Sequence, residues 1–350
     1  MTEKLTKRAF LGQAAAAGAV AVGATGLGLR PARAESVDLV LSSWLPPRHP
    51  VVVHAIKPWA KDIETATEGR VKIRVLAKPL GSPPAHFDMA RDGVADITYG
   101  LHSFTKDDRF KNSRIGQFSL LGNDAASISQ AFWDVYTQDL GAVKEHEGTH
   151  LLGLFNHGPG VIHNKARPVK TADDLKGMKL RCPGGYISDL MTSFDAVTIL
   201  TAPGEVYEKL SRGVIDGVTF PMDPLNSYKL AELVKYTTKV PGGIYNTTWF
   251  LVMNPGKWDK ISKADQEAIT KLSGKAFAKR AGEAWNIADD LGVKAAKKAG
   301  IEVIDAPAPL VEAIKAKGSV FEDKWAGSLD KGYDGKAALE KFRKMTGISA

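Results

Sequence analysis

The segment His146-Glu147-Gly148-Thr149-His150 has the HExxH spacing. On a helix that spacing brings two imidazoles one turn apart onto a single zinc ion, with the glutamate as base. Here Gly148 and Thr149 fall where a helix over 125–146 has to stop, and His150 leads into an apolar strand, so the two rings are expected to diverge. No third ligand follows downstream. A secreted zinc-dependent hydrolase built on this segment stands as the alternative reading. The only cysteine, Cys182, excludes an internal disulfide, a thiolate metal cage and a CxxC redox pair. As a nucleophile it needs a histidine brought to it, and His157 and His163 are the nearest in sequence. At a strand end before Pro183 it reads instead as a small buried apolar residue. The pairs Asp107-Asp108, Asp173-Asp174 and Asp289-Asp290 are adjacent residues that cannot face one another on a regular element, and read as caps and solvated faces. There is no GxSxG, P-loop or GxGxxG segment. No catalytic residue, metal site or cofactor follows from these patterns.

Arg181 is different. It closes the alternating run Met178-Lys-Leu-Arg-Cys182, just before Pro183-Gly184-Gly185. Open α/β sheets place their ligand crevice at such carboxyl ends of strands. A guanidinium there can grip a carboxylate through two parallel hydrogen bonds, or it can serve an inter-lobe or surface salt bridge.

The elements that must position it alternate along the chain. Strands are expected at 37–43, 71–77 and 95–99, with helices at 50–68 and 84–92 between them. This βαβαβ spacing implies a mostly parallel sheet covered by helices. A long helix over 125–146 precedes the apolar strand 151–155. A second series follows, with strands at 160–164, 178–182, 196–200 and 217–220 and helices at 171–176, 186–194 and 203–212. After 235–239 and Thr248–Met253 the pattern turns helical over 262–299, interrupted late only by a strand at 302–305. The chain therefore builds one α/β lobe, crosses to a second and returns near 240–250. Lobes joined by several crossings normally close on a ligand between them.

Composition narrows the class. The 350 residues are 44% apolar and 25% charged, an ordinary globular balance at a length suited to about two domains. The formal charge of +8 depends on the N-terminus. Lys4, Lys7 and Arg8 precede an uncharged stretch from Ala9 to Leu29, and Ala32-Arg33-Ala34 is a small-x-small site before Glu35, so residues 1–34 read as a cleaved export signal. Thr6-Lys7-Arg8-Ala9-Phe10-Leu11 resembles the twin-arginine motif, with lysine in the place of the first arginine. Cleavage after Ala34 removes five basic residues and Glu3, leaving 42 basic and 38 acidic residues, net +4 over 316 residues. That is no nucleic-acid signature. Lys341, Arg343 and Lys344 read as a solvated helix face rather than a docking site.

From about 36 to 260 the chain resembles the solute receptors of tripartite ATP-independent periplasmic (TRAP) transporters. The resemblance rests on Trp59-Ala60 with Thr67-Glu-Gly-Arg-Val-Lys-Ile73, on Gly93-Val-Ala-Asp-Ile97, and on Arg109-Phe110. It continues through Pro168-Val-Lys-Thr-Ala-Asp-Asp-Leu-Lys-Gly-Met-Lys-Leu-Arg181, its most specific block, Glu205-Val-Tyr-Glu-Lys-Leu210 and Gly213-Val-Ile-Asp-Gly217. It implies a two-lobed, type II-like periplasmic binding protein fold of the α/β class with a long C-terminal helix linking the lobes. Lobe I is then 35–155 with about 245–285, and lobe II is 156–244 with about 286–350. The implied function is a periplasmic receptor, not an enzyme, that carries a small organic anion to the small and large membrane subunits of a TRAP permease. In that family the arginine matching Arg181 bridges the ligand carboxylate. By their places after strand ends, Trp44 and His49, His102 and Phe104, Asn156 and His157, Phe220 and Asp223, and Asn246 with Trp249 are expected to line the cleft. Sialic-acid-type members carry a second arginine where Val161 stands and an asparagine where Phe220 stands. Losing both in favour of apolar groups points to a less polar ligand, a monocarboxylate of aromatic or branched character.

Overall fold

The computed structural model describes residues 36–105 and 107–348; the expected export signal over 1–34 lies outside them. Among the described residues there are eleven strands. In chain order these are β1 (Val37–Ser42), β2 (Val71–Val75), β3 (Ile97–Leu101), β4 (His150–Asn156), β5 (Val161–Asn164), β6 (Lys179–Cys182), β7 (Val197–Leu200), β8 (Gly217–Phe220), β9 (Tyr236–Lys239), β10 (Thr248–Met253) and β11 (Glu302–Asp305). The helices are α1 (Lys57–Ala66), α2 (His86–Arg91), α3 (Ala125–Asp139), α4 (Ala142–Glu145), α5 (Tyr186–Ser193), α6 (Val206–Ser211), α7 (Pro224–Ser227), α8 (Pro255–Trp258), α9 (Lys263–Leu272), α10 (Gly274–Ala299), α11 (Ala308–Ser328) and α12 (Gly335–Met345). None is long and apolar enough to cross a membrane.

Two sheets result, β2-β1-β3-β10-β4 and β11-β9-β5-β8-β6-β7. In the first, β1 pairs parallel with β2 and β3, while β10 runs antiparallel to both β3 and β4. In the second, β6 pairs parallel with β7 and β8, while β5 runs antiparallel to β8 and β9. The reversed strand of each sheet is the one the chain enters from the other sheet: β5 comes directly from β4, and β10 comes from β9. A strand arriving from the opposite sheet has to start at the cleft and run away from it. The carboxyl ends of the remaining strands therefore face the cleft from both sides, the arrangement in which α/β sheets bind ligands.

The expected single helix over 125–146 is two helices, because Gly141 takes a left-handed φ of 68° that ends α3 and starts α4. The stretch 262–299 likewise divides at Ser273, where Gly274 has φ 57° and lies too close to the Trp133 ring to carry a side chain. The helix expected over 50–68 opens as a six-residue π segment, Val51–Ile56, before α1. Pro58 lacks the N–H that an α-helical ladder would need there, and the Lys57 N–H reaches back five residues to Val52 O.

Trp59, Phe155, Trp249 and Phe277 anchor the core on one face of the first sheet. Phe87, Phe110, Phe132 and Phe250 anchor the core on its other face. A smaller core around Val206, Val218 and Leu230 underlies the second sheet. Helix α10 packs along α3 and β4 of the first sheet and reaches α7 of the second, while α12 packs on α3. Gly292 lets α10 approach the backbone of Met222 and Asp223, where a Cβ would collide with the Met222 carbonyl.

Candidate functional site

Arg181, on β6 between β7 and β8, is 1% exposed. The alternation that places Leu180 in the core sends its guanidinium to the other face of the sheet. There Nε donates to Thr201 O at 2.9 Å and Nη1 to Thr219 O at 3.2 Å, and the guanidinium carbon sits 3.9 Å from the Phe220 ring centroid. Burial lowers the guanidinium pKa to about 10. Among the described residues no carboxylate lies within ion-pair distance of it. Of the five N–H donors on an arginine, three are thus left without a protein acceptor.

These groups line a cavity with about 400 Å³ of non-atom space between the two sheets. The cavity is a slot with aromatic rings in both of its walls. The first sheet contributes Trp44, Leu45, His49, Leu101 and Trp249, and the second Arg181, Phe220, Asp223 and Tyr228. The crossing segments add His157, Tyr245 and Thr247, and α10 adds Trp285. Trp44 stacks on Trp249 (5.2 Å, 8°), Trp249 on Phe155 (5.4 Å, 18°), and Phe220 on Tyr228 (6.5 Å, 12°). Prolines 183, 203, 221 and 224 complete the wall without contributing an N–H. Burial drives the Tyr228 and Tyr245 phenols well above their ordinary range, so both stay neutral.

At one end of the slot, His49 and Asp223 join the two sheets. His49 Nδ1 accepts the Val51 N–H at 3.1 Å, which leaves the proton on Nε2, 3.2 Å from Asp223 Oδ2. Ser227 Oγ donates to the same oxygen at 2.8 Å, and the Asp223 N–H donates to Asp289 Oδ1 at 2.9 Å. Burial, with the Asp223 charge added, holds the Asp289 carboxyl well above the usual carboxylate range. His157 Nδ1 meets the Gly158 carbonyl, so Nε2 is the bare acceptor, and burial keeps the ring neutral by lowering its pKa to about 4.

Of the eleven residues expected at the site, Arg181, Phe220, His157, Trp44, His49, Asp223 and Trp249 line the cavity. The other four lie elsewhere. His102 follows Leu101, and alternation turns it to the opposite face of β3, where Nε2 sits 3.0 Å from His146 Nε2 beside Phe110 and Phe250. Phe104 packs behind Trp44, at 6.1 Å between ring centroids. Asn156 and Asn246 brace the crossing segments instead of facing the slot. Asn156 Nδ2 donates to Gly116 O and Asn246 Oδ1, and Asn246 Nδ2 donates to His157 O. Three large lining residues were absent from the expectation. Tyr228 sits one turn beyond Asp223, Tyr245 directly precedes Asn246, and Trp285 stands among the small residues Ala281, Gly282, Ala284 and Ala288 in α10.

The HExxH segment does not converge. His146 caps α4 with Nδ1 2.7 Å from Ala142 O, whereas His150 opens β4 and stacks on Trp258 at 3.7 Å. Among the described residues no cluster of three or more His, Cys, Asp or Glu side chains is arranged around a metal position. Cys182 is buried, which pushes its thiol up to about 11. A wider, open groove runs past Phe87, Arg109, Lys111 and Tyr333, but its cations are already paired, Arg109 with Asp88 and Lys111 with Asp330.

Residues 41–326 match the family described as bacterial extracellular solute-binding protein, family 7. The chain is similar to a TRAP periplasmic solute-binding protein from Bordetella bronchiseptica with bound (R)- and (S)-mandelate, at 39% identity and TM-score 0.86 over 89% of this chain and 99% of that one. It is also similar to a TRAP solute-binding protein from Rhodoferax ferrireducens in complex with copurified benzoate, at 27% identity and TM-score 0.82 over 89% and 98% of the two chains. Among sequence relatives, the outer membrane transporter protein TsaT of Comamonas testosteroni is 29% identical over 89% of this chain and 92% of its own.

Proposed function

The chain belongs to the family 7 bacterial extracellular solute-binding proteins, the solute receptors of TRAP transporters, and on that premise we propose that it takes an aromatic monocarboxylate from the periplasm. The family consists of receptors for organic acids that work with membrane permease components, not of enzymes. The observation that carries the finer reading is Arg181: a fully buried cation without a carboxylate partner among the described residues, set in the wall of a slot lined by aromatic rings. A ligand carboxylate supplies the missing counter-charge through two parallel hydrogen bonds. The Trp44–Trp249 and Phe220–Tyr228 stacks in the walls offer a flat ring face and edge contacts that add to area burial. Val161 and Phe220, paired across β5 and β8, offer no hydrogen bond to a second carboxylate or a polyol. The ligands of the two TRAP neighbours, mandelate and benzoate, are of this class.

Closing the lobes joins His49 to Asp223 and seals the ring from water, and the closed form is handed to the small and large subunits of a TRAP permease. Residues 1–34 act as the export signal that places the receptor outside the cytoplasmic membrane. The test is a thermal-shift screen of organic acids on the chain from Glu35, with benzoate and its neutral isostere benzamide as the deciding pair. Benzoate is expected to raise the melting temperature and benzamide is not. Arg181→Ala is expected to remove the benzoate response, and a parent-like response in that variant would overturn the assignment.

A further inference from the structure

Four polar atoms on the cavity-lining side chains are buried and have no hydrogen-bond partner among the described residues: Asp223 Oδ1, His157 Nε2, Trp249 Nε1 and Trp285 Nε1. They are neighbours. The Trp285 ring lies 5.5 Å from Trp249, 5.9 Å from His157 and 5.1 Å from His49, and His49 holds the other oxygen of Asp223. Two of the atoms are acceptors and two are N–H donors. Buried polar groups are nearly always paired, and a cluster of four at one end of a binding slot marks a place where a ligand supplies the partner.

An aromatic acid bound only through its carboxylate and ring would leave all four unmatched, because the carboxylate is taken by Arg181. A hydroxyl group gives one hydrogen bond and receives up to two. We infer that the bound acid is a hydroxy acid whose hydroxyl donates its one proton to His157 Nε2 and accepts from an indole N–H of Trp285 or Trp249. This rests on the proposed carboxylate site at Arg181 and specifies the ligand further. His157 is thereby a specificity-determining residue, and its Nδ1 contact with the Gly158 carbonyl fixes the tautomer that presents Nε2 as an acceptor.

Two matched sets of probes test this by calorimetric titration of the chain from Glu35. One set is mandelate, phenylacetate and 2-methoxy-2-phenylacetate; the other is 3-hydroxybenzoate, benzoate and 3-methoxybenzoate. In at least one set the hydroxy acid is expected to bind roughly 10²-fold more tightly than the acid lacking oxygen, since a site built for a hydroxyl rejects the analogue without it. The methoxy acid, which keeps the oxygen but not the proton, is expected to bind no better than the deoxy acid. His157→Leu should bring that preference close to one, and His157→Gln, which retains an acceptor, should restore part of it. Equal affinities within both sets in the parent protein, with binding still dependent on Arg181, would overturn the hydroxyl inference and leave the carboxylate reading standing. Failure of every acid to bind would overturn both.

Discussion

Replacing Arg181 with methionine separates a binding role from a structural one, because the two predict different things for the protein without ligand. Burial lowers the guanidinium pKa from 12.5 to about 10, which corresponds to roughly 3 kcal/mol held against the charged form. Arg181→Met removes that cost and keeps the apolar stem against Phe220. It also leaves the Thr201 and Thr219 carbonyls without their donor, at about 1–3 kcal/mol each. The contributions largely offset, so the ligand-free variant should melt within several degrees of the parent, given that about 1 kcal/mol shifts a domain of this size by roughly 2–4 °C. Binding should fare differently. Removing one partner of a buried ion pair costs about 3–5 kcal/mol, or roughly 10²–10⁴-fold in Kd. The assay is paired thermal melts with and without saturating benzoate, followed by calorimetry. If Arg181→Met fails to fold, or falls by more than about 5 kcal/mol in chemical denaturation, while the parent shows no acid-dependent shift, then the arginine is a structural brace and the reasoning is wrong.

Glu145 gives a pH prediction. Burial raises its carboxyl to about 7, while the Tyr136 hydroxyl and Asn112 N–H donate to it. Its folded pKa exceeds the unfolded value of 4.5, so the folded state binds the extra proton between those limits and stability attributable to this group rises as pH falls from 8 to 5. Relative to Glu145→Gln, the parent should gain up to about 3 kcal/mol over that interval, measured by chemical denaturation at both ends. A constant difference would refute the shift. Gly292→Ala should force α10 away from the segment carrying Asp223, destabilising the fold by about 1–3 kcal/mol and weakening acid binding together; unchanged melts would show that the approach is not tight. N-terminal sequencing of the exported protein should begin at Glu35, and a start at Met1 would contradict the export signal.

Much of the architecture was legible because strand alternation and helix periodicity are local. The two βα series and the late strand β11 fall within a few residues of expectation. Arg181 was legible because alternation fixed its face and Pro183-Gly184-Gly185 fixed the strand end. What failed had non-local causes. His102 was placed by proximity to a strand end, yet one further residue reverses the face, and it joined a core assembled from α3, β10 and His146. Asn156 and Asn246 hold each other across 90 residues of chain, which no local pattern reveals. Trp285 entered the cavity only because small residues around it let α10 lie against both α3 and the loop after β8. The breaks at Gly141 and Ser273 turned on single residues inside otherwise continuous periodicity.

A crystal structure of the chain from Glu35 with an aromatic acid bound tests the central claim most directly. The account predicts both carboxylate oxygens within hydrogen-bond distance of the Arg181 guanidinium, about 2.7–2.9 Å, and the ring between Trp44 and Phe220. A carboxylate seated elsewhere, with Arg181 still bound only to Thr201 O and Thr219 O, would contradict it.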